Sequence, residues 1–158
     1  MGYYNATICI NGHVMSSYES NKQPYCSKCG KITISECQSC HSPIHGMYKS
    51  DIPILGAQYH KDLYCYNCGK PYPWTKSIID SAVEILSLDE TLTDENRELL
   101  KTAIPDLLVE TPKSPVAVAR YKTFLSKTQN YIKNALYQVF VDVLSETVKS
   151  SLFPQIPQ

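Results

Sequence analysis

The chain of 158 residues has no cysteine after Cys68, no arginine before Arg97, and no apolar run long enough to span a bilayer. Each absence removes a class of protein. A membrane helix needs about 18 uncharged apolar residues, and the most apolar stretch, Val139 to Leu144, is interrupted by Asp142. The start Met1-Gly2-Tyr3-Tyr4-Asn5 carries neither a basic n-region nor an apolar h-region, and Ala6 stands where a myristoylation pattern wants Ser or Thr. A cytoplasmic protein without membrane attachment is therefore expected. No Gly-rich phosphate loop follows a strand and no Ser-His-Asp arrangement is readable, which argues for a binding protein and against an enzyme. Asp142 and Glu146, four apart, would share one helix face, but solvated helix surface accounts for such a pair.

What is present is concentrated at one end. All seven cysteines and nine of the twelve tyrosines lie at or before Tyr72, so the chain divides into unlike halves. An even cysteine count and a leader would suggest secreted disulfides. With seven cysteines in close pairs and a reducing setting, metal ligation is the better account. The pairs read Cys9-Ile10-Asn11-Gly12-His13, Cys26-Ser27-Lys28-Cys29-Gly30, Cys37-Gln38-Ser39-Cys40 and Cys65-Tyr66-Asn67-Cys68-Gly69. Structural zinc is four-coordinate and takes thiolate and imidazole, so Cys9, His13, Cys26, Cys29, Cys37, Cys40, Cys65 and Cys68 fill two closed tetrahedra with no cysteine left over.

Two intervening residues let both sulfurs of a tight turn face one ion, and Gly30 and Gly69 supply the positive φ such a turn needs. The Asn11-Gly12 turn brings His13 toward Cys9 behind a short Thr7-Ile8-Cys9-Ile10 strand. Sequential pairing and an interleaved cross-brace both satisfy the count. Sequential pairing is preferred, because the seven residues between Cys29 and Cys37 suffice for one extended Lys31–Ser35 strand linking neighbouring sites. His45 could compete for a place in the second site, although His41, His45 and His60 are read as surface or loop histidines.

A fully ligated pair of ions has no open position for water or substrate, so both metals are expected to be structural and to supply much of the folding free energy. Residues 1 to 75 hold six Lys, no Arg and four acids. Seven thiolates and two zinc ions bring that balance to about −1, which is a poor phosphate binder. Tyr25, Tyr64, Tyr66 and Tyr72 could stack on bases but are expected to cover a small core.

After Pro71-Tyr72-Pro73-Trp74 the period changes. Ile78, Ile79, Ala82, Val83 and Leu86 recur at helical spacing behind Thr75 as N-cap, with Trp74 packing at the junction. A second helix follows Thr93, with Asp94 and Glu95 in its first turn and Pro105 ending or kinking it. From the Ser114-Pro115 start to about Leu152 nothing breaks the stripe Val118, Tyr121, Leu125, Ile132, Leu136, Val139, Val143, which predicts one long helix or two joined near Thr128-Gln129-Asn130. The fold expected is α+β: a tandem zinc ribbon of short strands over residues 1–74, then a bundle of about three helices over 75–158, the last one long. Its widened apolar surface near Val139–Leu144 would pack within the monomer or join copies or another subunit. Residues 80–110 carry nine acids and two bases, whereas 111–141 carry five bases and no acid. Lys113, Arg120, Lys122, Lys127 and Lys133 are the candidate partner-binding residues, for protein first and nucleic acid second.

The motifs Cys-x-Asn-Gly-His, Cys-x-x-Cys-Gly-x-x-Thr-Ile, Cys-x-x-Cys with Pro43-Ile44-x-Gly46, Cys-x-x-Cys-Gly-x-Pro and Pro73-Trp74-Thr75 together resemble an uncharacterised bacterial family of small double zinc-ribbon proteins. Arg120-Tyr121-Lys122 and Val141-Asp142-Val143 extend the resemblance through the helical half, and His45 departs from it where relatives would carry Arg. The resemblance implies a bacterial or phage-borne cytosolic accessory subunit, including in mobile-element or phage-defence settings.

Overall fold

The computed structural model describes residues 2–18, 23–52 and 54–154. It is α+β, and the chain divides into two compact units, Met1–Ser77 and Ile78–Gln158.

Among the described residues the first unit holds five short strands, β1 (Gly2–Asn5), β2 (Thr7–Cys9), β3 (Val14–Ser16), β4 (Thr33–Ile34) and β5 (His45–Lys49). β1 pairs antiparallel with β5, while β2 lies between β3 and β4, antiparallel to both. Strands of two to five residues bury little area. The core is correspondingly small, with Ala6, Ile8, Ile34, Ile44, Tyr72 and Trp74 closing around the cysteines Cys37 and Cys65.

Helix α1 (Pro73–Ser87) starts two residues before the predicted Thr75 cap. Pro73 needs no N–H at a first helical position, and the Tyr72 carbonyl accepts from Thr75 N and Lys76 N. Thr75 is instead fully buried, with its hydroxyl donating to Leu63 O at 2.6 Å. Trp74 packs in the ribbon core, stacked on Tyr72 at 4.8 Å, and its Nε1 donates to Asp62 O at 2.8 Å.

The second unit continues α1 and adds α2 (Asp94–Leu108), α3 (Ser114–Leu125), α4 (Asn130–Phe140) and α5 (Glu146–Leu152). Thr93 caps α2 as expected, accepting from Asn96 N at 3.2 Å. Pro105 does not end that helix, which continues to Leu108 and buries Leu100, Ala103, Ile104, Leu107 and Leu108. Ser114 does not cap α3: its hydroxyl turns back to Val109 O at 2.6 Å and ties down the preceding loop.

Of the two readings of the last segment, one long helix or two joined near Thr128-Gln129-Asn130, the structure takes the break, and a second one before α5 divides the segment into α3, α4 and α5. Buried Asp89 sets the first break, because its carboxylate accepts from Thr128 Oγ1 at 2.6 Å and from Thr91 N at 2.9 Å and Oγ1 at 2.5 Å. Holding Thr128 there turns the chain between Leu125 and Asn130. Ser145 sets the second, capping α5 by accepting from Val148 N at 3.3 Å. Asp142 therefore lies in a turn and Glu146 opens α5, where it pairs with Lys149 at 2.8 Å, so the two carboxylates do not share a helix face. α3 packs on both α2 and α5, with Tyr121 fully buried and its hydroxyl donating to Leu100 O at 3.0 Å.

Burial alone would raise the Asp89 pKa, but the hydrogen bonds from Thr128 and Thr91, with Arg97 nearby, outweigh it and hold the group below the usual carboxylate value. A depressed folded-state pKa gives stability that is present above the unfolded value, about 4, and is lost as pH falls through the folded value. Asp89→Ala should cost about 2 kcal/mol near neutrality, where three hydrogen bonds to a buried charge disappear, and that cost should shrink in acid. Urea unfolding followed through the helical signal at neutral and acidic pH checks both statements.

Candidate metal centres

Each Cys-x-x-Cys pair sits on a turn closed by the same backbone bond. Gly30 N donates to Cys26 O at 2.8 Å, His41 N to Cys37 O at 2.9 Å, and Gly69 N to Cys65 O at 2.8 Å. Gly30 and Gly69 both adopt φ 71°, as the spacing predicts, and His41 takes φ 59° at the equivalent place in the third turn. A side chain in that region is strained by about 1 kcal/mol. A Cβ at Gly30 or Gly69 would meet nothing within 4 Å. Gly30→Ala and Gly69→Ala should thus each cost about 1 kcal/mol from the backbone alone, and His41→Gly should be neutral or stabilising. Thermal unfolding of the three variants orders them.

The turns deliver the eight predicted ligands into two groups, Cys9, His13, Cys26 and Cys29, and Cys37, Cys40, Cys65 and Cys68, with ligand atoms within 4.8 Å of one another in each. The grouping is sequential. In the first, Cys9 Sγ is 3.8 Å from Cys29 Sγ, and His13 Nδ1 is 3.4 Å from Cys9 Sγ and 3.6 Å from Cys26 Sγ. In the second, Cys37 Sγ is 3.7 Å from Cys68 Sγ and Cys40 Sγ is 3.6 Å from Cys65 Sγ.

These separations test the fit to a metal. A disulfide would need about 2.05 Å. A tetrahedral ion with metal–sulfur bonds of about 2.3 Å has sulfur–sulfur edges of about 3.8 Å, and slightly shorter sulfur–nitrogen edges. The observed edges match the tetrahedron, and the donor set of seven sulfurs and one imidazole suits a borderline-soft ion.

The surrounding groups favour thiolate at some of the sulfurs, while burial raises the Cys9 thiol and, against the Lys70 backbone N–H, burial with the neighbouring sulfurs raises that of Cys68 to about 11. Backbone N–H groups of His13, Lys28 and Ser39 point at Cys9, Cys26 and Cys37 sulfur at 3.3, 3.4 and 3.4 Å. The Lys31 backbone N–H lowers the Cys29 pKa to about 6, and the Ser42 hydroxyl and N–H, with Asn67, lower that of Cys40 to about 5. Asn11 Nδ2 also donates to Cys29 Sγ at 3.5 Å. Burial and the adjacent Cys65 and Cys37 sulfurs push the Tyr72 hydroxyl well above its ordinary value, which keeps it a proton donor facing the second group.

Among the described residues His45 belongs to neither group of ligands. Its ring is sandwiched between Tyr3 at 4.1 Å and Tyr66 at 4.0 Å, both nearly parallel, and its Nδ1 lies 3.8 Å from Asp62 Oδ2. Tyr59 donates to its carbonyl at 2.7 Å. This three-ring stack escapes sequence reading, because its members come from β1, β5 and the last metal-binding turn. It borders a groove of about 700 Å³ along β1, floored by Pro43 and Ile44. His41 is exposed beside Glu36 at 3.2 Å, and His60 is exposed.

The five basic candidates are spread over α3, the turn after it and α4. Lys113, Arg120 and Lys122 lie at or on α3, Lys127 in the turn that follows, and Lys133 on α4. Lys122 is about 200° round the helix from Arg120, whereas Arg120 and Lys127 border the same cavity.

Short strands joined by four metal-binding turns, with two complete sets of four ligands, define a double-ribbon metal-site protein with a helical second half. The chain belongs to the family described as an uncharacterized protein conserved in bacteria (DUF2321), which matches residues 2–152. No curated protein and no solved structure matches it.

Proposed function

We propose that this protein is a zinc-stabilised interaction module, an accessory subunit whose two ions build a platform and carry out no chemistry. Zinc is the ion favoured by the tetrahedral edges and the sulfur-rich donor set, and full protein ligation leaves neither ion a substrate position.

The observation that carries the binding role is the segment after β5. Ile52, Ile54 and Leu55 are 75%, 68% and 99% exposed and follow in sequence on β5, where Tyr48 at 45% faces Tyr3 at 49% across the sheet. Clustered exposed aliphatic and aromatic side chains mark protein-binding surfaces. The near-neutral charge of this half and its lack of arginine support a protein partner over nucleic acid. Among the described residues no helix is long and apolar enough to cross a membrane.

The test is a tagged chain purified from its bacterial host beside the Ile54→Ser/Leu55→Ser variant, with metal counted in both. The expected result is two zinc ions per chain in each, and a stoichiometric protein partner held by the parent chain and lost by the variant. Recovery of a lone monomer from both overturns the proposal.

A further inference from the structure

Helix α3 carries two apolar stripes. One, Ala117, Tyr121 and Leu125, repeats every four residues and is buried. The other runs through Val116, Ala119 and Thr123 at three- and four-residue steps, the spacing of a second helical face, with Phe124 beside it. That second stripe borders an open cavity of about 510 Å³ shared with α2 and the turn before it.

Its walls are Leu92, Leu99, Leu100, Val116 and Phe124, of which Leu99 is 43% and Val116 52% exposed. The volume falls in the range of small-molecule sites, about 300 to 1,000 Å³, which are apolar with a few placed polar groups.

The charge at this cavity has one sign. Arg120 and Lys127 line it, no Asp or Glu does, and neither base is ion-paired among the described residues. Thr91 and Thr128 also line it, but both direct their hydroxyls to Asp89. The two cations and Asn96 are thus the groups left to hold a polar head. A polyphosphate is disfavoured, because Asp94 and Glu95 occupy the first turn of α2 and Thr93 caps it.

We infer that the cavity between α2 and α3 binds a small amphipathic carboxylate, with an acyl or aryl body against the Leu and Phe walls and the carboxylate on Arg120 and Lys127. This site is independent of the protein-binding surface proposed for the ribbon half.

The experiment is calorimetric titration of the full metal-loaded chain with decanoate, decanol and acetate, below micelle formation, with amide NMR to locate the site. Saturable one-to-one binding of decanoate is expected, with decanol at least about tenfold weaker, acetate without measurable binding, and shifts confined to α2 and α3. Arg120→Gln/Lys127→Gln changes exposed side chains, so it should keep the fold, weaken decanoate by about tenfold or more and leave decanol unchanged. The inference is overturned by non-saturable decanoate binding, by equal affinity for decanol, by a double variant that binds like the parent, or by shifts confined to the metal ribbon. A chain that ignores decanoate but takes an acidic helical peptide overturns it too.

Discussion

A strong chelator is expected to unfold the Met1–Ser77 unit, release two ions per chain, and leave most of the helical signal in place. Two- and three-stranded sheets of such short strands are not stable by themselves. Their core also places Cys37 and Cys65 among its buried members, so removing the ions leaves thiols repacked against Ile8, Ile44 and Trp74 with nothing to gather the turns. Structural zinc supplies on the order of 10 kcal/mol in small domains, more than the whole stability of most units this size. The readout is amide NMR during chelation: resonances of β1 to β5 should collapse while those of α2 to α5 stay dispersed. Persistence of the ribbon resonances after both ions have left would refute the structural role of the metals. Cys9→Ser and Cys37→Ser should each lose one ion.

The metal groups were legible because a ligand pair is a local pattern: four residues fix both sulfurs on one turn, and the following Gly fixes the backbone that closes it. The same locality explains why the Thr93 cap and the Thr7–Cys9 strand were readable. What escaped depends on residues far apart in sequence. The break after α3 was readable only as one of two alternatives, since no Gly or Pro announces it and what holds it is Asp89, 39 positions from the Thr128 it binds. Thr75 carries a capping side chain yet spends it on Leu63 O, since Pro73 had already started the helix. His45 has the chemistry of a ligand and the surroundings of an aromatic filler, and only the pairing of β1 with β5 decides between them. His41 shows the opposite case, a strained position that a neighbouring glycine pattern could have flagged but the residue itself does not.

Gly46 is where the ribbon tolerates least. It sits in β5 between two backbones, and a Cβ built there would fall 2.2 Å from Ser17 O and 2.9 Å from Tyr4 O. Neither neighbour is a side chain that can swing away. Ser17 O accepts from Met47 N at 2.9 Å, and Tyr4 belongs to β1, whose pairing with β5 sets the position of His45 between Tyr3 and Tyr66. Relieving the overlap means parting β5 from β1 or from the segment just after β3, so Gly46→Ala should cost upwards of about 3 kcal/mol, beyond ordinary overpacking. Gly2 is the matched control: it lies in β1 of the same sheet, and a Cβ there meets nothing within 4 Å, so Gly2→Ala should change stability by less than about 0.5 kcal/mol. No metal ligand lies in β5, so Gly46→Ala should still hold both ions in the cold while its ribbon melts far earlier. Thermal unfolding with metal counted before and after separates the two effects, and equal melting of the Gly46 and Gly2 variants would show that β5 is not clamped between its neighbours.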